Sequence, residues 1–165
     1  MTLPDRKPLR LKEYDYSSPG AYFITICTRG HKQILSAIAP VGDDAHIVPS
    51  DDMQNVLTDT GKVCDKYIRS ISQKYSGVTV DKYVIMPNHI HMLISLDRSM
   101  RASTPTIPDI IRSFKIMVTK ETAHGIWQRS FYDHIICNKK DYDEIWKYID
   151  TNVIRWDKDC YNENS

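Results

Sequence analysis

The chain has few cysteines, and their spacing excludes two common classes of small protein. The four cysteines of this 165-residue chain are scattered, and no two of them form a CxxC pair. This spacing fits neither a zinc clip nor the disulfide framework of a small secreted domain. The four are Cys27, Cys64, Cys137 and Cys160. We therefore expect reduced thiols that are buried or incidental.

Long apolar runs are also lacking. No stretch reaches the roughly 18 apolar residues that a membrane-spanning helix needs. The first residues, "MTLPDRKPLRLKEYD", are charged and lack the apolar core of a signal peptide. We therefore expect a cytoplasmic protein that does not enter the membrane.

The chain carries no excess charge of either sign. Its 22 basic and 21 acidic residues give a formal net charge of +1, which does not by itself predict a nucleic-acid binder. Basic residues do gather locally, and phosphate contacts dominate the affinity of proteins for DNA. The candidate DNA-contacting residues are Arg112, Lys115, Lys120 and Arg129.

Hydrophobic periodicity predicts an α+β fold with seven elements, in the order strand, helix, strand, strand, helix, strand, helix. The first six match the ferredoxin-like βαββαβ order, which places two helices on one face of an antiparallel sheet, and the last helix is an addition. The predicted strands are 21–28, 78–86, 89–96 and 129–137, with a short strand near 46–48 in the first long loop. The predicted helices are 52–75, one from a cap at Thr106 or Asp109 to about 124, and 140–156. The domain then covers 21–157, between a polar arm at 1–20 and a frayed tail at 158–165.

The predicted strand "HIHMLISL" places two histidines on one face. Side chains alternate along a strand, so His89 and His91 share a face with Leu93 and Ser95, while the apolar residues between them face the two crossover helices. Two neutral imidazoles on a rigid strand can chelate a divalent metal. The pattern is short, and two unrelated histidines on a half-exposed sheet remain an alternative.

The last predicted helix carries a tyrosine and an asparagine one turn apart. Tyr148 and Asn152 are four residues apart and therefore lie on the same face, beside an apolar arc that includes Trp146. The phenol of Tyr148 could act as a nucleophile if a base, a metal or positive surroundings lowered its pKa, and the amide oxygen of Asn152 could bind a metal. An amphipathic tyrosine that only fills space is the alternative. Other tyrosines, at positions 14, 16 and 22, lack an amide at i+4, and for His134 we favour a structural or DNA-contacting role.

Several segments together resemble the single-tyrosine HUH transposases, a family named for its two histidines around a hydrophobic residue. It includes the transposases of single-strand insertion sequences and the REP-associated tyrosine transposases. The matching segments occur in the family's order and cover the chain from about residue 20 to 157. They are "YFITICT", "YVIMPNHIHMLI", "IIRSFK", "IWQRSFYDHII" and "YIDTN" followed by "W..D".

The resemblance implies cleavage and rejoining of single-stranded DNA through a 5′-phosphotyrosine, by a transposase or a domesticated relative. It assigns His89 and His91 to the HUH pair, Tyr148 to the nucleophile and Asn152 to the third ligand of Mg²⁺ or Mn²⁺. The family's usual proline after this asparagine is Val153 here, which should lengthen the helix slightly. A DNA hairpin is the implied partner, and a homodimer is compatible with the family. An inactive hairpin-binding module and a phosphoesterase that uses water remain open as alternatives.

The implied ligand set predicts a folded metal-free protein. Two imidazoles and one amide form a weak site for Mg²⁺, which prefers oxygen ligands. We expect a chelator to leave the thermal unfolding temperature of the purified protein nearly unchanged, as measured by circular dichroism. Loss of a large part of the thermal stability on chelation would contradict this expectation.

Overall fold

A four-stranded antiparallel sheet carries the predicted ferredoxin-like arrangement. The structure, a computed structural model, describes residues 14–40, 53–97 and 105–162. The strands are β1 (Gly20–Cys27), β2 (Ser36–Pro40), β3 (Met53–Leu57), β4 (Val78–Ile85), β5 (His89–Leu96) and β6 (Tyr132–Ile136). The helices are α1 (Asp59–Lys74), α2 (Ile107–Thr122) and α3 (Lys139–Thr151). The main sheet has the order β4-β5-β1-β6, so β5 and β1 occupy its centre.

Alternation along β5 divides the sheet into two faces as predicted. Ile90, Met92 and Ile94 belong to the buried core together with residues of α1 and α2 such as Ile68 and Phe114. On the opposite face α3 approaches the sheet and brings Tyr148 against His91. Burial of the β5 apolar side chains beneath two helices therefore fixes which way the two histidines point. No helix within the described ranges is long and apolar enough to cross a membrane.

The segment before α1 differs from the prediction. Met53–Leu57 was expected to begin the first helix, but it forms β3 and pairs with β2 in a separate two-stranded sheet. Apolar residues at 53, 56 and 57 fit helical spacing, yet the observed burial alternates as in a strand. The helix begins only after Thr58, whose hydroxyl accepts a hydrogen bond from the Gly61 N–H at 3.1 Å. The short strand expected near 46–48 lies outside the described residues.

The last helix is shorter than expected. It ends at Thr151 rather than 156, and Asn152 caps it, so Val153 lies outside the helix. A 3-10 turn at Trp156–Lys158 follows. The expected apolar arc also differs, since Trp146 is 37% exposed and its ring lies under the Lys82 ammonium. Partly exposed aromatic rings of this kind gain contact from a cation as well as from the core.

Residues 158–162, expected to be a frayed tail, fold back onto the domain. Asp159 and Asn162 are both buried. The Asn162 amide donates to the Trp156 carbonyl at 3.1 Å, and the Asp159 carboxylate accepts from the Tyr161 N–H at 2.9 Å. These polar contacts, which hydrophobic periodicity does not reveal, hold the segment in place. At the other end, Tyr16 of the expected polar arm belongs to the core.

Gly61 marks a close approach between α1 and the loop before β2. A Cβ atom at this position would lie 1.9 Å from the backbone oxygen of Leu35. That oxygen also accepts hydrogen bonds from the N–H and the hydroxyl of Thr58, both at 3.0 Å. The carbonyl therefore cannot move away without breaking the contacts that begin the helix.

Substitution of Gly61 with alanine should therefore destabilise the protein despite the better helix propensity of alanine. Propensity favours alanine by about 0.5–1 kcal/mol, whereas overpacking costs about 1–3 kcal/mol. We expect Gly61→Ala to lower the free energy of unfolding by about 1–2 kcal/mol, measured by urea denaturation. Gly125→Ala is the matched control, because the nearest atom to its Cβ would be 3.7 Å away. Equal stability of the two variants would show that the Leu35 contact is unimportant.

Candidate active site

His89 and His91 lie side by side inside the protein. Their side chains are almost fully buried, with 0% and 1% of each residue exposed. The two Nε2 atoms are 3.0 Å apart, and the ring centroids are separated by 4.5 Å. We call these two histidines the dyad. They form a rigid, desolvated pair, whereas two unrelated histidines on the sheet were expected to be half exposed.

A hydrogen-bond network fixes the proton position of His89. Its Nδ1 lies 2.8 Å from Oδ1 of Asn88. The Asn88 Nδ2 donates to the carbonyl oxygens of His31 and Tyr161, at 3.2 and 2.7 Å, which fixes the orientation of the amide. Oδ1 is then an acceptor, so Nδ1 of His89 carries the proton and its Nε2 presents a lone pair.

Thr25 gives His91 a more adaptable partner. Thr25 is the cross-strand neighbour of His91, and its hydroxyl lies 2.8 Å from Nδ1 of His91. A hydroxyl can donate or accept, so it can satisfy either tautomer of this imidazole. In the tautomer with the proton on Nε2, His91 donates to the lone pair of His89. In the other tautomer both Nε2 atoms are acceptors and can ligate one cation.

Burial keeps both imidazoles uncharged at neutral pH. Desolvation, followed by the nearby His91 and His31, lowers the pKa of His89 to about 2. Desolvation alone lowers the pKa of His91 to about 3. Neutral imidazoles are the form that binds metals.

Tyr148 of α3 faces the dyad from above the sheet. Its hydroxyl lies 3.3 Å from Nε2 of His91, and its ring packs edge-on against Phe23 and His91. The residue is still 36% exposed, so a substrate can reach it. Burial, followed by the charge of Asp159, raises the pKa of the phenol, whereas a hydrogen bond from Asn152 lowers it.

Asn152 is buried at the end of α3, although the sequence placed it on a polar face. Only 2% of the residue is exposed. Its Oδ1 is buried and has no hydrogen-bond partner in the described part of the chain. A buried acceptor without a partner costs free energy, which a bound cation would recover.

Asp159 is the site residue that sequence reasoning missed. One of its carboxylate oxygens lies 3.7 Å from Nε2 of His89. One ligand atom from each of Asp159, His89 and His91 falls within 4.8 Å of the others. The "W..D" segment of the resemblance ends at this aspartate, but no role was attached to it, and the tail was expected to be frayed. This match was the signal that could have identified it.

The donor set fits a divalent cation. The Nε2 atoms of two neutral imidazoles converge, 3.0 Å apart, beside a carboxylate. The carboxylate of Asp159 adds the oxygen ligand and negative charge that Mg²⁺ and Mn²⁺ prefer. The residues that could hold the ion are His89, His91, Asp159 and Asn152.

The four candidate DNA-contacting residues have different contacts. Arg112 is exposed and forms an ion pair with Asp109 at 3.4 Å. The Lys115 ammonium donates to the carbonyls of Gln128 and Ser130, at 2.8 and 2.6 Å. Lys120 and Arg129 are exposed.

The other candidates from the sequence have structural contacts. His134 is bonded to the Asp141 carboxylate at 2.9 Å. Tyr16 and Tyr22 belong to the core, and Tyr14 bonds the Tyr22 hydroxyl at 3.3 Å. Tyr148 is therefore the tyrosine candidate with its hydroxyl at the dyad.

Comparisons with known proteins bear on the family and the fold of this chain. The family model described as "Transposase IS200 like" matches residues 45–152. A Haemophilus influenzae protein of uncharacterized function is 33% identical over 93% of this chain and 91% of its own length. A second protein of that organism, described as a candidate REP-associated tyrosine transposase, is 29% identical over 66% of this chain and 68% of its own. The solved structure of a REP-associated tyrosine transposase bound to a REP hairpin is 21% identical to this chain. The match covers 88% of this chain and 74% of the chain in that structure, with a TM-score of 0.63. This likeness confirms the fold.

Removal of the Thr25 hydroxyl should destabilise the protein through His91. Thr25→Val leaves Nδ1 of His91 buried without a partner, at a cost of about 1–3 kcal/mol. We expect Thr25→Val to lower the free energy of unfolding by that amount in urea denaturation. Thr25→Ser keeps the hydroxyl and should retain most of the stability of the native protein. Thr79→Val is the control, since Thr79 is exposed on β4. If Thr25→Val and Thr79→Val are equally stable, the hydroxyl does not support His91.

Proposed function

Because the chain belongs to the IS200-like transposase family, we propose that it cleaves and rejoins single-stranded DNA with Tyr148 as the nucleophile. The observation that carries this proposal is the 3.3 Å separation between the Tyr148 hydroxyl and Nε2 of His91, within a buried pair of neutral imidazoles. A tyrosine that merely filled space would not need its hydroxyl at a polar cluster in the centre of the sheet.

The reaction is a transesterification. The Tyr148 oxygen attacks the scissile phosphorus, and the bond from phosphorus to the 3′ oxygen of the preceding nucleotide breaks. The phenol proton leaves the attacking oxygen and the departing 3′ oxygen takes up a proton, so the products are a 5′-phosphotyrosine and a free 3′ hydroxyl. Attack by another 3′ hydroxyl on the phosphotyrosine reverses these bond changes and joins two strands.

The surrounding residues orient the nucleophile. Phe23 and His91 hold the tyrosine ring edge-on, and the Asn152 side chain lowers the pKa of its hydroxyl. Asn88 and Thr25 hold the two imidazoles, which keeps both Nε2 atoms aimed at one point. A divalent ion bound to His89, His91 and Asp159, with Asn152 beside them, would stabilise negative charge on the phosphate and on the phenol oxygen.

The proposed substrate is DNA with a hairpin. The structural relative with the same fold is bound to a REP hairpin, and the family is one of transposases. These two findings support the extension of hairpin binding to this chain. Proteins of this kind act on exposed single strands, which is compatible with a nucleophile that is one-third exposed.

A covalent adduct assay tests this function. The protein is incubated with Mn²⁺ and labelled single-stranded hairpin oligonucleotides of varied sequence, and adducts that survive denaturant are counted on a gel. We expect an adduct with the native protein and a loss of more than about 100-fold with Tyr148→Phe, because the phenol oxygen makes the bond. Tyr142→Phe is the matched control on the same helix, since the Tyr142 hydroxyl bonds Asp81 rather than the dyad.

Each other outcome of this assay would indicate a different function or a different nucleophile. An adduct that persists in Tyr148→Phe would refute the assigned nucleophile. Cleavage without an adduct would favour a phosphoesterase that uses water, and binding without cleavage would favour an inactive hairpin-binding module.

A further inference from the structure

We propose that a cleft beside α2, lined by Arg29, Lys120 and Trp127, binds one unpaired nucleotide of the DNA strand on which the protein acts. The inference rests on the proposed function and adds a binding site outside the histidine cluster. We call this site the Trp127 cleft. Its remaining lining residues are Lys115, Ile116, Thr119 and Gly125.

The size and the walls of the Trp127 cleft suit a planar ring. Its volume is about 460 Å³, within the range of small-ligand sites. Ile116 is 55% exposed on one side, although it is a large apolar residue on an otherwise amphipathic helix. On the other side the indole of Trp127 is held by Phe114 of the core, with the ring centroids 5.6 Å apart. Trp127 is only 6% exposed, so it contributes a small and rigid apolar surface to the cleft.

The charges around the Trp127 cleft favour an anion. Three of its lining residues are cationic and none is a carboxylate. Lys115 also braces the wall, because its ammonium bonds the carbonyls of Gln128 and Ser130 next to the tryptophan. An apolar wall next to cations matches the two parts of a nucleotide, a base with a π face and a phosphate.

The position of the Trp127 cleft connects it with the proposed active site. Trp127 pairs with Thr28 across an isolated bridge, and the Thr28 N–H donates to the Asn88 carbonyl at 2.9 Å. Asn88 is the residue that holds His89. The cleft and the histidines thus lie at the same end of β1 and β5, the cleft on the α2 face and the histidines on the α3 face. A single strand of DNA that passes around this end of the sheet would reach both the cleft and the histidines.

The binding test uses a protein that cannot cleave. In a Tyr148→Phe background, the affinity for a fluorescent 12-nucleotide pool of random sequence is measured by anisotropy without metal. We expect Thr119→Tyr, which fills the cleft, to weaken binding by about fivefold or more, since one stacked base contributes about 1–3 kcal/mol. Arg29→Ala should weaken it by about two- to fivefold through the lost phosphate contact. Thr79→Tyr and Arg69→Ala are matched controls on other surfaces and should change the affinity by less than about twofold. Unchanged affinity in both cleft variants would overturn the proposal.

Nuclear magnetic resonance locates the nucleotide independently. The chain has three tryptophans, so the indole N–H signal of Trp127 can be assigned and followed while deoxynucleoside monophosphates are added. The signal of Trp127 should shift, and that of Trp146 should not. An equal shift with inorganic phosphate would show a plain anion site, and a shift only with an acidic peptide would show a protein-docking site. Either result would contradict a nucleotide cleft.

The two proposals fail separately. Loss of cleft binding with an intact Tyr148 adduct would refute the nucleotide cleft alone. Cleft binding without any adduct would refute the proposed chemistry and leave the cleft as a DNA-contacting site.

Discussion

The removal of two imidazoles from water is the constraint on which the rest of the site depends. Desolvation keeps His89 and His91 neutral, and a neutral buried pair is stable only where every ring nitrogen has a partner. Asn88 and Thr25 supply those partners at Nδ1, and the remaining Nε2 atoms then meet each other. The centre of the sheet buries the two imidazoles and places Thr25 opposite His91. The site therefore depends on the fold of the sheet.

The alternation of β5 and the i, i+4 spacing of α3 were predictable because they are local geometric rules. Period-two alternation placed His89 and His91 on one face, and the structure confirms that face. The sequence could not show that Asn152 is buried, because its burial depends on how α3 and the segment after it pack. The pairing of Met53–Leu57 with β2 was missed for a similar reason, since its apolar residues also fit a helix.

Asp159 shows where sequence reasoning ends. Its approach to His89 depends on a turn at Trp156–Lys158 and on backbone hydrogen bonds of the following residues. Neither feature leaves a periodic pattern of apolar residues in the sequence. A polar segment after the last helix usually frays unless such contacts hold it. The missed residue is also the one that changes the chemistry of the site, because it adds the charge that two imidazoles and an amide lack.

That charge also acts on Tyr148 and so links the proposed metal ligands to the proposed nucleophile. Asp159 raises the pKa of the phenol together with burial, so the tyrosine alone is less ready to attack than one in water. A cation held by Asp159 and the histidines would neutralise this carboxylate, while the hydrogen bond from Asn152 already favours the phenolate. The same aspartate would then suppress the nucleophile without the ion and hold the ion that activates it. In the proposed reaction the readiness of Tyr148 would thus depend on the charge at Asp159 as well as on the position of the tyrosine.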